Sequence, residues 1–584
     1  MKSFFKIVFA SMLGFLLTFF VLFLIIAAII GASSGEKEVK LEKNSILHLT
    51  FNEPIKDRGN DNPFANFNFG SLSGGKQIGL NDILDNIAKA ASDEHIDGIF
   101  LDVTSVPSGI ATIEEIRNEL IEFKKSGKFI YAYSEGFTQP SYYLATAADK
   151  IYLHPTGMAE LKGLRSEILF FKGTLDKIGV EPQVFRHGKF KSAVEPFIQD
   201  KLSDANREQI RSYIGSIWNH IVEGIAKERK ITPAQVQGIA SKMLVTNAPA
   251  AVQYKLVDEL KYRDEVLEIL QKKTNAKGID EIEFVSMGKM VDVKDTRDKS
   301  GKDKIAIVYA EGDIVDGEGQ DGQVGSVEFS KAIRKARLDE KVKAVVLRIN
   351  SPGGSALASE TIWREVMLTR KVKPVIASMG NVAASGGYYI AAPCDTIVAS
   401  PNTITGSIGV FGLFFNARQM VNNIGVTIDT VKTNPYADIM TSSRAVTAQE
   451  AEVIQKEIER IYDNFISRVS EGRHMTKANV DSIAQGRVWS GVDAKRLGLV
   501  DVFGGLDKAI EIAAKKAGLT SYRIQELPYQ EDPFQKFMKQ LGGDSEAAIL
   551  QKTLGDSYRY YQQLEHLRAM KSYQARLPYE LELY

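Results

Sequence analysis

Two glycine-rich runs in the second half of the chain carry residues suited to acyl-transfer chemistry. Arg348 to Ser355 reads Arg-Ile-Asn-Ser-Pro-Gly-Gly-Ser, and Asn381 to Tyr389 reads Asn-Val-Ala-Ala-Ser-Gly-Gly-Tyr-Tyr. Ser385 follows a predicted strand, Val375 to Ser378, after a turn of small residues, and Gly386-Gly387 open a helix. Such a placement exposes a hydroxyl beside the unpaired N–H groups of a helix N-terminus. The Gly386 amide can then face an oxyanion. Asn350 to Gly354 follow another strand, and their glycines let backbone approach a substrate closely. A second donor is expected from Gly354, with Gly353 as the less favoured choice. Two oriented donors are what a tetrahedral intermediate needs, each contributing roughly 3 kcal/mol.

A serine hydroxyl also needs a base. No histidine lies between Ser385 and His474, and His474 sits at the far end of a long amphipathic helix. The first half offers lysines instead, Lys189 and Lys191 in Gly-Lys-Phe-Lys-Ser-Ala-Val-Glu-Pro-Phe. A lysine must lose about 3 pKa units to serve near pH 7, roughly 4 kcal/mol. Burial among groups such as Phe190, Ala193, Val194 and Phe197 pushes in that direction. Local context does not choose between the two lysines.

The elements that must position these groups recur. Ile99 to Val103 matches Val345 to Ile349, Tyr142 to Ala145 matches Tyr388 to Ala391, and Ile178 to Val180 matches Ile424 to Val426, each at an offset of 246 positions. The match resumes with a small shift at Leu256 to Asp258 and Leu499 to Asp501. A domain-sized period signals two homologous domains. In the second copy Ile305 to Tyr309, Ala344 to Ile349, Val375 to Ser378 and Thr396 to Ala399 read as buried strands. Glu328 to Arg337 and Ser355 to Thr369 read as helices between them. This alternation predicts an α/β fold with largely parallel strands. Val453, Ile454, Ile458, Ile461, Phe465, Ile466 and Val469 trace one face of a long helix that covers a core. The second copy holds the serine and both glycines; the first lacks them and has Lys191 where the second has Ala437. One active site divided between two copies follows.

The 584 residues exceed a single core. Formal charge is zero, giving nucleic-acid binding no electrostatic support. Cys394 is alone, zinc-ligand spacing is absent, and no Gly-x-x-x-x-Gly-Lys-Ser/Thr loop occurs. Ile7 to Ile30 is free of charge and long enough to span a bilayer, which needs about 20 apolar residues. A cleaved signal peptide is the alternative, but its apolar region runs only about 7–15 residues. Lys2 and Lys6 favour a cytoplasmic N-terminus, placing the rest on the outer face. The expected divisions are an anchor over 1–35, an N-terminal domain over 45–288, a charged linker over 289–304, a C-terminal domain over 305–524 and an extension over 525–584 with no assigned role. Asp57 to Lys76 reads as an irregular surface loop.

Phe190 to Phe197, Ser351 to Gly354, Ala384 to Tyr389 and Thr405 to Gly409 together resemble the long, duplicated form of the signal peptide peptidase A family, membrane-anchored serine–lysine proteases of the ClpP/crotonase fold. The resemblance covers roughly Ser45 to Leu519. It implies Ser385 as nucleophile, Lys191 as general base and Ser407 as the residue orienting the lysine. It further implies a homotetrameric bowl at the outer face of the cytoplasmic membrane, with peptide substrates, especially cleaved signal peptides, and no cofactor. A crotonase-like acyl-CoA enzyme and a catalytically silent scaffold are the alternatives.

Overall fold

The computed structural model describes residues 6–7, 9–18, 20–21, 39–60, 77–295, 301–530 and 573–577. The first copy supplies β1 (Ser45–Leu49), β2 (Ile96–Asp102), β3 (Phe129–Ser134), β4 (Lys150–Leu153), β5 (Glu181–Arg186), β6 (Glu259–Leu260) and β7 (Phe284–Ser286). Six of these form a parallel sheet in the order β6-β4-β3-β2-β1-β7. Runs such as Ile99-Phe100-Leu101 are apolar on both faces because helices cover both sides of a parallel sheet.

The second copy supplies β8 (Lys304–Glu311), β9 (Asp313–Val315), β10 (Gln323–Gly325), β11 (Val342–Ser351), β12 (Gly353–Ser355), β13 (Val375–Ala384), β14 (Thr396–Ala399), β15 (Ile404–Gly406), β16 (Phe411–Asn416), β17 (Val488–Ser490), β18 (Val502–Phe503) and β19 (Arg523–Leu527). Its sheet contains the path β18-β14-β13-β11-β8-β19, strand for strand the order of the first copy. The duplication read from spaced motifs is therefore a duplication of topology. The helix Ala448–Arg473 buries Ile454, Ile458, Tyr462, Phe465, Ile466 and Val469, whereas Val453, read into the same face, is exposed. Thr447 and Glu450 close a capping box at its start.

A third sheet joins the copies, in the order β10-β9-β12-β20-β16-β5, where β20 is Gln574–Arg576. β5 of the first copy runs antiparallel to β16 of the second, Arg186 opposite Phe411 through Glu181 opposite Asn416. This ladder fixes the register in which one copy meets the other.

The structure revises several sequence expectations. No turn follows Ser378: β13 runs on to Ala384 and delivers Ser385 directly, because its second half pairs with β15. The extension expected from 525 begins later, since β19 continues to Leu527 beside β8. The stretch 289–304 starts inside the helix Met287–Val291 and ends on the first residue of β8; residues 296–300 lie outside the described ones. Asp57, placed in a surface loop, is buried against Arg348, while 61–76 lie outside the described residues. The predicted anchor falls partly outside the described residues too. Those seen, 6–7, 9–18 and 20–21, are helical and exposed, and no described helix is long and apolar enough to cross a membrane.

Candidate active site

Ser385 joins β13 to the helix Gly386–Ala391 with φ 54° and ψ −113°. A non-glycine residue in such a conformation costs on the order of 1–3 kcal/mol and persists only where surroundings impose it. Here the Ser385 amide donates to the Gly406 carbonyl at 2.8 Å, and the Ser385 carbonyl accepts from Tyr389 at 2.8 Å. Ser407, with φ 51°, is held by its amide donating to Arg487 O at 2.7 Å. Both serines thus sit on constrained backbone.

Lys191 comes from the first copy, just after β5. The Phe190 amide donates to Gln485 O at 2.9 Å, and Gly486 underlies Lys191 so closely that a Cβ there would stand 2.6 Å from the lysine Cβ. Gly486 also has φ +79°, so glycine is required twice over. Gln209 completes the seat: its amide nitrogen donates to Ser192 Oγ at 2.8 Å, and its Oε1 accepts from the Val488 amide at 3.2 Å. Glu195 accepts from Ser203 Oγ at 2.6 Å and Asn206 at 2.8 Å, tying the same turn to the helix Asp204–Arg229.

This seat brings together the predicted residues. Lys191 Nζ lies 2.9 Å from Ser385 Oγ, 3.0 Å from Ser407 Oγ and 3.1 Å from the Ser407 carbonyl oxygen. All three residues are fully buried. Burial pushes the Lys191 amine well below the ordinary lysine range, because desolvation disfavours the charged form. Among the described residues no carboxylate pairs with Nζ to oppose this. A neutral amine has two N–H groups, matching the Ser407 carbonyl and hydroxyl, and one lone pair directed at the Ser385 proton. Lys189 is exposed, and so is Ala437 at the duplicated position. His474 is also exposed and ends its helix in a left-handed turn.

The glycines meet at the same point. Gly353 has φ +100°, and a Cβ on it would stand 2.6 Å from the Gly386 nitrogen. The Gly353 amide donates to Ser351 Oγ at 3.2 Å. The Gly386 amide belongs to the first helical turn, whose N–H groups the helix leaves unpaired.

Two features escaped the sequence reading. Asn381 caps the helix Ile110–Phe123 across the interface, accepting from Ala111 and Thr112 amides at 3.1 Å. Arg348, fully buried, donates to Asp57 at 2.7 Å and Glu115 at 2.8 Å of the first copy. A charged residue within the apolar strand Val345 to Ile349 was the available signal.

A duplicated parallel α/β framework with a lysine-facing serine on constrained backbone defines a class of serine hydrolase, and sequence comparison gives its family. The model of peptidase family S49 matches residues 122–277 and 367–520, once in each copy. The chain belongs to this family, in its duplicated form, and is a serine-type endopeptidase. It is 39% identical to Protease 4 of Salmonella typhi over 81% of this chain and 79% of that one. Protease 4 of Haemophilus influenzae is 35% identical, covering 90% of this chain and 86% of the relative. The chloroplastic serine protease SPPA of Arabidopsis thaliana is 34% identical over 82% and 70%. The acyl-CoA and scaffold alternatives give way to this membership.

Proposed function

We propose that Ser385 and Lys191 form a nucleophile–base dyad that hydrolyses apolar peptides, including cleaved signal peptides, at a membrane surface. The observation that carries the reading is the buried Lys191 amine 2.9 Å from Ser385 Oγ. Neutral Lys191 takes the Ser385 proton as Oγ attacks the scissile carbonyl. The Gly386 and Gly354 amides hold the oxyanion, with Gly353 shaping the approach. Lys191 then protonates the leaving amine, and water repeats the cycle on the acyl-enzyme. In this reading each copy is a ClpP/crotonase-like domain, and the enzyme is a homotetramer anchored in the cytoplasmic membrane by one pass over residues 7–30. Its catalytic domains face outward, and an enclosed site admits extended chains rather than folded proteins. Covalent labelling by a serine-reactive probe tests the dyad: wild type labels, and Ser385→Ala does not.

Ser407 is a positioning residue in this scheme. Ser407→Ala removes the hydroxyl contact with Nζ and leaves the carbonyl, so kcat should fall about tenfold, the value of one modest hydrogen bond. The rate-limiting pKa should also shift, because the lysine loses a fixed partner. An unchanged pH profile would reduce Ser407 to a turn residue.

Deleting residues 1–35 should give a soluble enzyme with near-normal turnover of soluble apolar peptides, because the first strand begins only at Ser45. Preference for bilayer-embedded peptides should be lost. Equal loss on both substrate types, measured on correctly assembled enzyme, would make the N-terminal segment part of the catalytic structure.

A further inference from the structure

The segment Gln485–Trp489 of the second copy touches both halves of the dyad through its backbone. The Phe190 amide, next to Lys191, donates to Gln485 O at 2.9 Å, and the Ser407 amide donates to Arg487 O at 2.7 Å. Between them the Gly486 amide donates to Ile408 O at 2.8 Å. Further on, Val488 and Trp489 of β17 lie opposite Gly406 and Thr405. A Cβ on Gly406 would stand 2.7 Å from Trp489 Cδ1 and 2.9 Å from Arg487 O, so the two strands meet without slack. The Gly406 carbonyl in turn holds the Ser385 amide at 2.8 Å. One short stretch is thus the common support of Lys191, Ser407 and Ser385.

The Arg487 side chain ties that stretch back to the first copy. Its Cζ lies 4.7 Å from the centroid of the Phe190 ring and 4.5 Å from that of Trp489. A guanidinium within about 6 Å of an aromatic centroid is attracted to the ring face, and its plane can stack on two rings at once. Hydrogen bonding does not set its position. Nε is buried and finds no acceptor among the described residues. Nη2 meets the Glu208 carboxylate at 3.2 Å, but that side chain is 60% exposed, and an exposed ion pair contributes about 0–1 kcal/mol. The two rings hold the guanidinium. On its outer side it borders a cavity of 510 Å³ that it shares with Asp204, Arg207, Glu208, Arg211 and Ser212, all exposed on the helix Asp204–Arg229.

We propose that Arg487 is a positioning residue of the dyad: sandwiched between Phe190 and Trp489, its guanidinium locks the lysine-bearing turn of the first copy onto the segment of the second that supports both serines. The proposal rests on the dyad reading above and deepens it. Without the sandwich the Phe190–Lys191 turn is freed from Trp489, and Nζ is no longer fixed 2.9 Å from Ser385 Oγ. A misplacement of about 1 Å can cost on the order of 100-fold in rate. Water that reaches the loosened amine favours its charged form, and removing a neighbouring positive charge acts in the same direction. Turnover should therefore fall while the pH at which Lys191 becomes an effective base rises.

Steady-state kinetics of the full-length enzyme on a fluorogenic apolar peptide, followed across pH, is the test. Arg487→Met should lower kcat on the order of 30-fold, leave KM within about twofold and raise the pH midpoint by about one unit. Arg487→Lys keeps the charge but loses the plane, and should lose kcat to a similar degree. Glu208→Gln should stay within about twofold of wild type. Ethylguanidinium at about 10 mM should restore kcat of Arg487→Ala by about tenfold, entering through the cavity, and tetramethylammonium should not. Phe190→Leu removes one face of the sandwich and should raise the midpoint as well, the double variant with Arg487→Met being no worse than Arg487→Met alone. Arg487 variants that melt earlier yet keep the wild-type kcat and midpoint would overturn the proposal, leaving Arg487 a stabiliser of the interface between copies and the dyad intact. Arg487→Lys that matches wild type would overturn it too, since charge alone would then suffice. If no Arg487 variant folds, Phe190→Leu decides, and a wild-type midpoint there overturns the proposal. Wild-type protein that neither hydrolyses peptide nor takes a serine-reactive probe would overturn the dyad, and this inference with it.

Discussion

Ser385→Ala and Lys191→Met are each expected to lower kcat/KM by on the order of 10⁴-fold or more, and the double variant should be no worse than either single one. Groups that act as a unit lose their whole contribution when one member goes. Lys191→Met nearly preserves volume, so the fold should survive and the loss should be chemical. In wild type the rate should rise with pH through a midpoint well below that of a free lysine, because only the neutral amine accepts the Ser385 proton.

The same burial predicts a stability effect of known sign. The folded-state pKa of Lys191 is depressed, so between that value and the unfolded value of about 10.4 the unfolded chain binds a proton that the native state does not. Stability contributed at this site therefore rises with pH across that window, by about 1.4 kcal/mol per unit. Lys191→Met removes the dependence. It should unfold at higher temperature than wild type, with a gap that widens as pH falls from about 10 toward the folded pKa. A gap that is constant with pH would mean the lysine is charged in the fold, and the general-base role would fail with it.

The strands that position the serine were legible because parallel sheets buried on both faces write continuous apolar runs. Thr396 to Ala399 is the strand β14 to the residue. The turn expected before Ser385 was not, because Gly380, Ala383 and Ala384 are small for the sake of close packing in β13. Gly380, for instance, has Arg348 and Asn350 side chains within 3.4 Å of where its Cβ would lie. Composition alone does not separate a turn from a tightly packed strand. Nothing in the sequence separated Gly353 from Gly354 physically; in the fold the Gly353 amide is taken up by the Ser351 hydroxyl. Lys191 and Lys189 were indistinguishable locally, since their difference comes from Gly486 and Gln209, each distant in sequence. The strand β20 carried no sequence signal, being three residues whose pairing exists only because β12 and β16 lie one strand apart.

Arg348→Met is expected to destabilise the protein by about 3–5 kcal/mol, the usual consequence of stripping a buried ion cluster of one sign. The Arg348 guanidinium is wholly buried, and its nitrogens reach Asp57 through Nε at 3.1 Å and Nη2 at 2.7 Å, Glu115 at 2.8 Å and Ser378 at 3.0 Å. It is the cation between two carboxylates of the first copy, and Glu115 also receives the Leu506 amide at 2.8 Å. Negative charge is already in excess there: burial and the charge of Asp57 push Glu311 up to about 7. Without Arg348 the carboxylates face one another unpaired, so the loss should be largest above pH 7, where all ionise. At pH 5 it should shrink as Glu311 and Glu115, both pushed up by burial, take up protons. Adding Asp57→Asn and Glu115→Gln to Arg348→Met should recover part of the loss, because the amides carry no charge to strand. Activity should fall along with stability, since Arg348 lies on β11, which leads into Pro352 and Gly354. Chemical unfolding at both pH values measures the difference. A loss under about 1 kcal/mol at pH 8 would mean water reaches the cluster, and the register between the copies would then rest on the β5–β16 ladder and the Asn381 cap instead.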